Sequence, residues 1–184
     1  ILSRLRDAGI EVDSKDPRIS RLVEDVKARE FEGYAYDGAE ASFELLARRA
    51  LGAVPEFYRV ESFRSEVERR FNARGEVTTI SQAVVKMQVG DTHSMQVAEG
   101  NGPVNALDDA MRKSLLPEYP ELEAMRLVDF KVRILTPQQA TAAVTRVMIE
   151  SSDDTGLRWG TVGISPNIID AAYEALDDAI VFKL

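Results

Sequence analysis

The sequence predicts an α+β fold in which a small helical subdomain precedes two β-β-β-α units related by a pseudo-twofold axis. Three observations carry this. Apolar residues recur at helical spacing as far as Gly52 and switch to alternation from Phe57 onward. Two segments, about 57–116 and 122–184, repeat the same order of three alternating stretches and one helical stretch. The two superimpose at an offset of 63, which lays Asp91-Thr92 on Asp154-Thr155, Gly100 on Gly163 and Pro103 on Pro166. A three-stranded sheet with one helix cannot hide both of its faces, so two such units are expected to pack together, and that geometry favours a homodimer.

In order along the chain, Asp16 reads as an N-cap before Pro17, and Ile19, Leu22, Val23 and Val26 form an apolar stripe to about Arg29. Asp37 and Glu40 stand three apart as in a capping box, ahead of a stripe of Phe43, Leu46, Ala47 and Ala50 that Gly52 stops. Val54-Pro55 then divides a helical linker subdomain, 1–54, from a strand-rich domain, 55–184. Phe57, Phe63, Val67 and Phe71 share one parity, as in a strand with one buried face. Asn72 to Gly75 turns the chain; Val85, Met87 and Val89 alternate with Lys86 and Gln88, and Gly90-Asp91 leads into a strand from His93 to Ala98. Val104, Leu107, Met111 and Leu115 mark one face of a helix. In the second repeat, Val128, Phe130, Val132 and Ile134 alternate with Asp129, Lys131 and Arg133, which predicts a half-buried strand. Ala143 to Glu150 and Leu157 to Ile164 supply the next two, joined at Asp153 to Gly156, and Ile168 or Ile169, Ala172, Leu176 and Ile180 form the closing helix.

Composition narrows the function. A net charge of -8 and a pI near 4.8 repel nucleic acid and anionic membranes. With no cysteine there is no disulfide, thiolate metal site or thiol nucleophile, as fits a reducing compartment. No apolar run spans a bilayer and no signal-peptide layout opens the chain, so the cytoplasm is the expected location. Ile1 stands where a start methionine would, so the chain is expected to be a segment of a longer protein.

Few residues carry chemistry. His93 is the single histidine, and Ser42, Ser62 and Ser81 have no triad arrangement around them. Asp108-Asp109 and Asp177-Asp178 are expected to be solvated helix surface. Gly100-Asn101-Gly102-Pro103 is neither a dinucleotide fingerprint nor a P-loop. Two readings stand for it: a tight turn in which the glycines take positive φ and Pro103 opens a helix, or a helix N-terminus whose free N–H groups receive a small carboxylate. Gly163, Ser165 and Pro166 repeat the pattern more weakly.

The run AEGNGPVNALDDAMRKSL, then LVDFKVRIL, then TAAVTRVMIESSDDTGLRWGTVGISPNIIDAAYEALDDAIVFKL resembles the C-terminal regulatory domain of the alpha-isopropylmalate synthase and citramalate synthase family. Upstream, DPRISRLVEDVKAREFEGYAYDGAEASFELLARRALG is similar to the helical linker of the citramalate synthase branch. The resemblance implies a parent acyltransferase that condenses acetyl-CoA with a 2-oxo acid on a TIM barrel holding a divalent metal. This segment, with one histidine and no eight-fold β-α pattern, would lack that barrel, hold no cofactor and be inactive alone. It also implies a dimeric feedback module, taking isoleucine in the citramalate branch and leucine in the isopropylmalate branch, or one that only assembles. For such an effector, Gly100, Asn101, Gly102, Pro103 and Val104, with Ser165, Pro166, Asn167 and Ile168, are expected to meet the carboxylate. Ala106, Leu107 and Ile169 are expected to line the side-chain pocket.

Overall fold

The computed structural model describes residues 1–135 and 143–184; residues 136–142 of the second repeat lie outside it. The helices are α1 (Leu2–Asp7), α2 (Pro17–Glu32), α3 (Glu40–Ala50), α4 (Pro103–Leu115) and α5 (Ile168–Lys183), and the strands β1 (Arg59–Phe71), β2 (Val77–Val89), β3 (Thr92–Gly100), β4 (Arg126–Ile134), β5 (Thr145–Ser152) and β6 (Arg158–Ser165). Two antiparallel sheets result, ordered β1-β2-β3 and β4-β5-β6, each followed by a helix. By contacts the chain forms two compact units, one of residues 1–55 with 126–183 and one of residues 56–125.

Local signals act as the sequence predicts in most places. Asp16 caps α2 by accepting the Arg18 N–H at 2.9 Å, and Gly33 at φ 115° closes the helix in the left-handed region. The Asn72 carboxamide accepts from the N–H of Arg74 and Glu76, which shapes the β1-β2 turn. The Asp37-Glu40 box does not form. Residues Tyr36–Gly38 instead make a 3-10 turn that buries Tyr36, the Asp37 carboxylate stands in solvent 3.8 Å from Arg4, and α3 starts without a side-chain cap.

In the larger unit, Leu5, Ile19, Leu22, Val26, Tyr36 and Phe43 pack into one core with Val162 of β6. The helical segment thus covers the back of the second sheet. Gly160 is required there, because a Cβ would fall on the Gly38 carbonyl.

The repeat is present, but its register differs from the offset of 63. Gly100 and Ser165 end the third strands, and Pro103 and Ile168 open the helices. Buried helical residues then correspond as Ala106 to Ala171, Leu107 to Ala172, Ala110 to Ala175, Met111 to Leu176 and Leu115 to Ile180, an offset of 65. A longer second hairpin accompanies the slip: Val89 faces Thr92 across two residues, whereas Ser152 faces Arg158 across five. The first strands even share an irregularity, a register shift between Val60 and Ser62 and another between Leu127 and Asp129.

The expectation of a buried face on β1 and β4 is corrected. Val67 and Phe71 are 58% and 73% exposed, and Val128, Phe130, Val132 and Ile134 lie between 41% and 56%. The pairing explains it. Phe130 and Val132 sit opposite the buried Ile149 and Val147, so they share the face that α5 covers, but α5 packs over β5 and β6 and leaves the edge strand uncovered.

Candidate functional site

The two strand-to-helix corners have different chemistry. At the first, a Cβ on Gly100 would sit 2.6 Å from the Ala106 nitrogen, so glycine is demanded by the closeness of α4. Positive φ is not the reason, which corrects that part of the turn reading: Gly102 is extended at φ -160°, and neither glycine is among those with positive φ. Gly102 is the N-cap, has no side chain to offer, and opens on space that a Cβ would not fill. Pro103 takes the first helical position, Asn101 donates its N–H to Asn105 Oδ1 at 3.2 Å, and Val104 is half-buried. Ala106 and Leu107 are fully buried in the core of their unit.

At the second corner the cap is already supplied. Asn167 Oδ1 accepts from the N–H of Ile169 at 2.9 Å and of Asp170 at 3.1 Å, and the Asn167 N–H donates to Ser165 Oγ. Pro166 and Ile168 are exposed, Ile169 half-buried. An anion at α5 would have to displace the Asn167 carboxamide, whereas one at α4 would meet an N-cap glycine with no side chain, beside the Asn105 carboxamide that already takes the Asn101 N–H. The corners belong to separate compact units, and each presents its own set.

Sequence reasoning missed a buried polar cluster. Ser42 Oγ donates to Asp178 Oδ2 at 2.8 Å and accepts the Val162 N–H at 3.0 Å, while Arg49 Nη1 lies 2.8 Å from Asp178 Oδ1. One turn away the Tyr34 hydroxyl donates to the Glu174 carboxylate. Burial pushes the Asp178 carboxyl up, against the pull of Arg49 and Ser42, and raises Tyr36 to about 12. Neither Asp178 nor Asp108 is solvated, at 9% and 6% exposure; Asp108 pairs with Arg112 at 2.9 Å. A signal was present: Ala171, Ala175 and Asp178 fall at i, i+4 and i+7, one stripe of α5. The same unit holds a cleft of about 540 Å³ between the start of α3 and the sheet, whose lining includes Trp159 and the pairs Arg158–Glu150 and Lys131–Asp129.

The model of the LeuA allosteric (dimerisation) domain matches residues 37–184. The chain belongs to that family. This LeuA-type domain is 47% identical over its whole length to an (R)-citramalate synthase of Geobacter sulfurreducens and 40% identical to one of Aquifex aeolicus, covering 34% of each. A 2-isopropylmalate synthase of Aquifex aeolicus is 28% identical over 125 residues, 68% of the domain and 22% of that protein. The domain therefore spans about a third of the length of the curated relatives it matches in full. Among its described residues no helix is long and apolar enough to cross a membrane.

The contact at Asp153 is acid-sensitive. Asp153, at the β5-β6 turn, is held at about pKa 2 by hydrogen bonds from Thr155 and by Lys183 Nζ at 3.0 Å. A carboxyl depressed on folding contributes stability above its unfolded value of 3.8 and loses it as pH falls toward 2. Asp153→Asn is expected to lower the urea midpoint at neutral pH and to bring variant and parent together in strong acid.

Proposed function

We propose that this domain is the feedback-regulatory and dimerisation module of an acetyl-CoA-dependent acyltransferase of the citramalate synthase type, acting in the cytoplasm on acetyl-CoA and pyruvate in isoleucine biosynthesis. The observation that carries this is end-to-end similarity to (R)-citramalate synthases within a family described as allosteric. Catalysis would belong to a barrel elsewhere in the parent chain. Among the described residues no group of three His, Cys, Asp or Glu is placed to hold a metal ion, and the divalent cation of that chemistry is assigned to the barrel.

Isoleucine is the proposed effector. Its carboxylate is assigned to the start of α4, at Gly100 to Val104, where the N-cap Gly102 brings no side chain and the helix dipole favours an anion. Ser165 to Ile169 form the related second corner, with Asn167 in the place the anion would take. Isoleucine at about 100 times its dissociation constant is expected to add roughly 2.7 kcal/mol of stability, read as a rise in melting temperature. Leucine in place of isoleucine as the stabilising ligand would move the domain to the isopropylmalate branch. A stable dimer unmoved by either would leave assembly as its role.

A single substitution separates the α4 corner from the rest. Gly102→Asp places a carboxylate where the effector's own would sit, and is expected to weaken isoleucine binding at least tenfold in calorimetry while stabilising α4 by about 0.3 kcal/mol. For assembly, the uncovered apolar rows on β1 and β4 are the proposed contact with a second copy. Val132→Glu should shift the dimer toward monomer in sedimentation equilibrium, with the far-ultraviolet spectrum unchanged.

A further inference from the structure

The duplication provides an internal template for one cavity. Between β3 and α4 lies a recess of about 230 Å³, lined by Val89, Thr92, Ser94, Lys113, Ser114 and Pro117 among others. In the register set by the two helices, Ser94 corresponds to Trp159, Ser114 to Ala179 and Pro117 to Phe182. The contacts confirm these equivalences independently. Ser94 Oγ meets Ser114 Oγ at 2.7 Å, and Trp159 Nε1 donates to the Ala179 carbonyl at 3.1 Å, so the same strand residue touches the same helix residue in both units. In the second unit the indole is buried there, with its ring centroid 5.9 Å from that of Phe182. In the first unit the frame is kept, while a hydroxyl and a proline stand where the two aromatic rings were.

We propose that this recess is a binding site for a small neutral planar ring bearing an N–H donor, of which indole is the simplest case. The ligand would replace the missing Trp side chain. Its apolar faces would lie between β3 and the Pro117 ring, and its N–H would point at the Ser114 carbonyl, one of the last-turn carbonyls of α4, which the helix itself leaves without an N–H partner. Thr92 and Ser94 add hydroxyls at the wall, and Val89 an apolar surface. The recess is separate from the α4 N-terminus assigned to the effector, which sits at the opposite end of that helix.

The test is a titration of this chain with indole at millimolar concentration, followed by two-dimensional amide NMR. Saturable shifts confined to residues 89–96 and 113–118 are expected, with indene, which has the same shape and no N–H, binding several-fold more weakly. Ser94→Trp refills the recess from within and is expected to abolish the saturable shifts, whereas Ser94→Ala leaves it open and retains them. Should Ser94→Trp not fold, Ser94→Leu fills part of the same space and is expected to weaken indole several-fold. No saturable shift in the parent chain, shifts mapping elsewhere, or undiminished binding in folded Ser94→Trp or Ser94→Leu would overturn the proposal. Isoleucine binding is measured separately, so neither result depends on the other.

Discussion

Gly163→Ala is expected to be among the most destabilising single-methyl changes in the domain. A Cβ at Gly163 would land inside the Ala171 carbonyl and 2.9 Å from the Ala175 nitrogen, and both neighbours are backbone of α5. No rotamer relieves that overlap, so either the helix lifts from β6 or the strand bends. The helix face concerned is Ala171, Ala172, Ala175 and Ala179, all without exposed surface, so lifting it opens a void along several turns. A loss of about 3 kcal/mol or more follows, near 10 °C in melting temperature for a chain of this size. Gly102→Ala is the control. Its Cβ meets nothing and its backbone is already extended, so the change should stay within about 0.5 kcal/mol. Thermal and urea denaturation of the two variants side by side would decide this; equal stabilities would refute the close approach of α5 to β6.

The second large effect is expected at Asp178. Asp178→Ala removes the acceptor of Ser42 and the partner of Arg49 at once, in a place where water does not replace them freely. Truncating one member of a buried pair commonly costs about 3–5 kcal/mol, and because Arg49 retains 43% side-chain exposure a value near 2–3 kcal/mol is expected. Asp178→Asn keeps the shape and the Ser42 bond, and should recover about half of the loss. A double-mutant cycle with Arg49→Ala checks the assignment. Coupling near zero would show that Arg49 and Asp178 do not act as a pair. Loss of this cluster should loosen α3 first, seen as faster amide exchange over residues 40–50.

The elements themselves were legible in the sequence because their signals are local. Asp16-Pro17, Asn72 to Gly75 and Gly90-Asp91 mark boundaries through their own backbone chemistry, and the structure places helix starts and turns there. What was not legible depends on neighbours distant in sequence. Alternation in Val128 to Ile134 reports which residues share a face, but coverage depends on where α5 crosses the sheet, and it crosses the far two strands. The charge of Asp178 points to solvent, although its helical phase places it with Ala171 and Ala175. The glycines of the α4 corner were legible as necessary but not as to why. Only the position of Ala106 against Gly100 distinguishes a close approach from a left-handed turn. The contrast between the corners rests on whether a neighbouring side chain already occupies the helix end, as Asn167 does.

Helix α5 has Ala171, Ala172, Ala175 and Leu176 against the sheet and Glu174 and Asp178 engaged by the segment that precedes it. Held on both sides, it cannot roll or tilt without disturbing one set of contacts or the other. From Asn167 to Asp178 it extends about 16 Å. Over that span an axial shift imposed at the Asn167 end would be expected to reach the Ser42–Arg49 contacts, so that α3 moves with the helix or those contacts break.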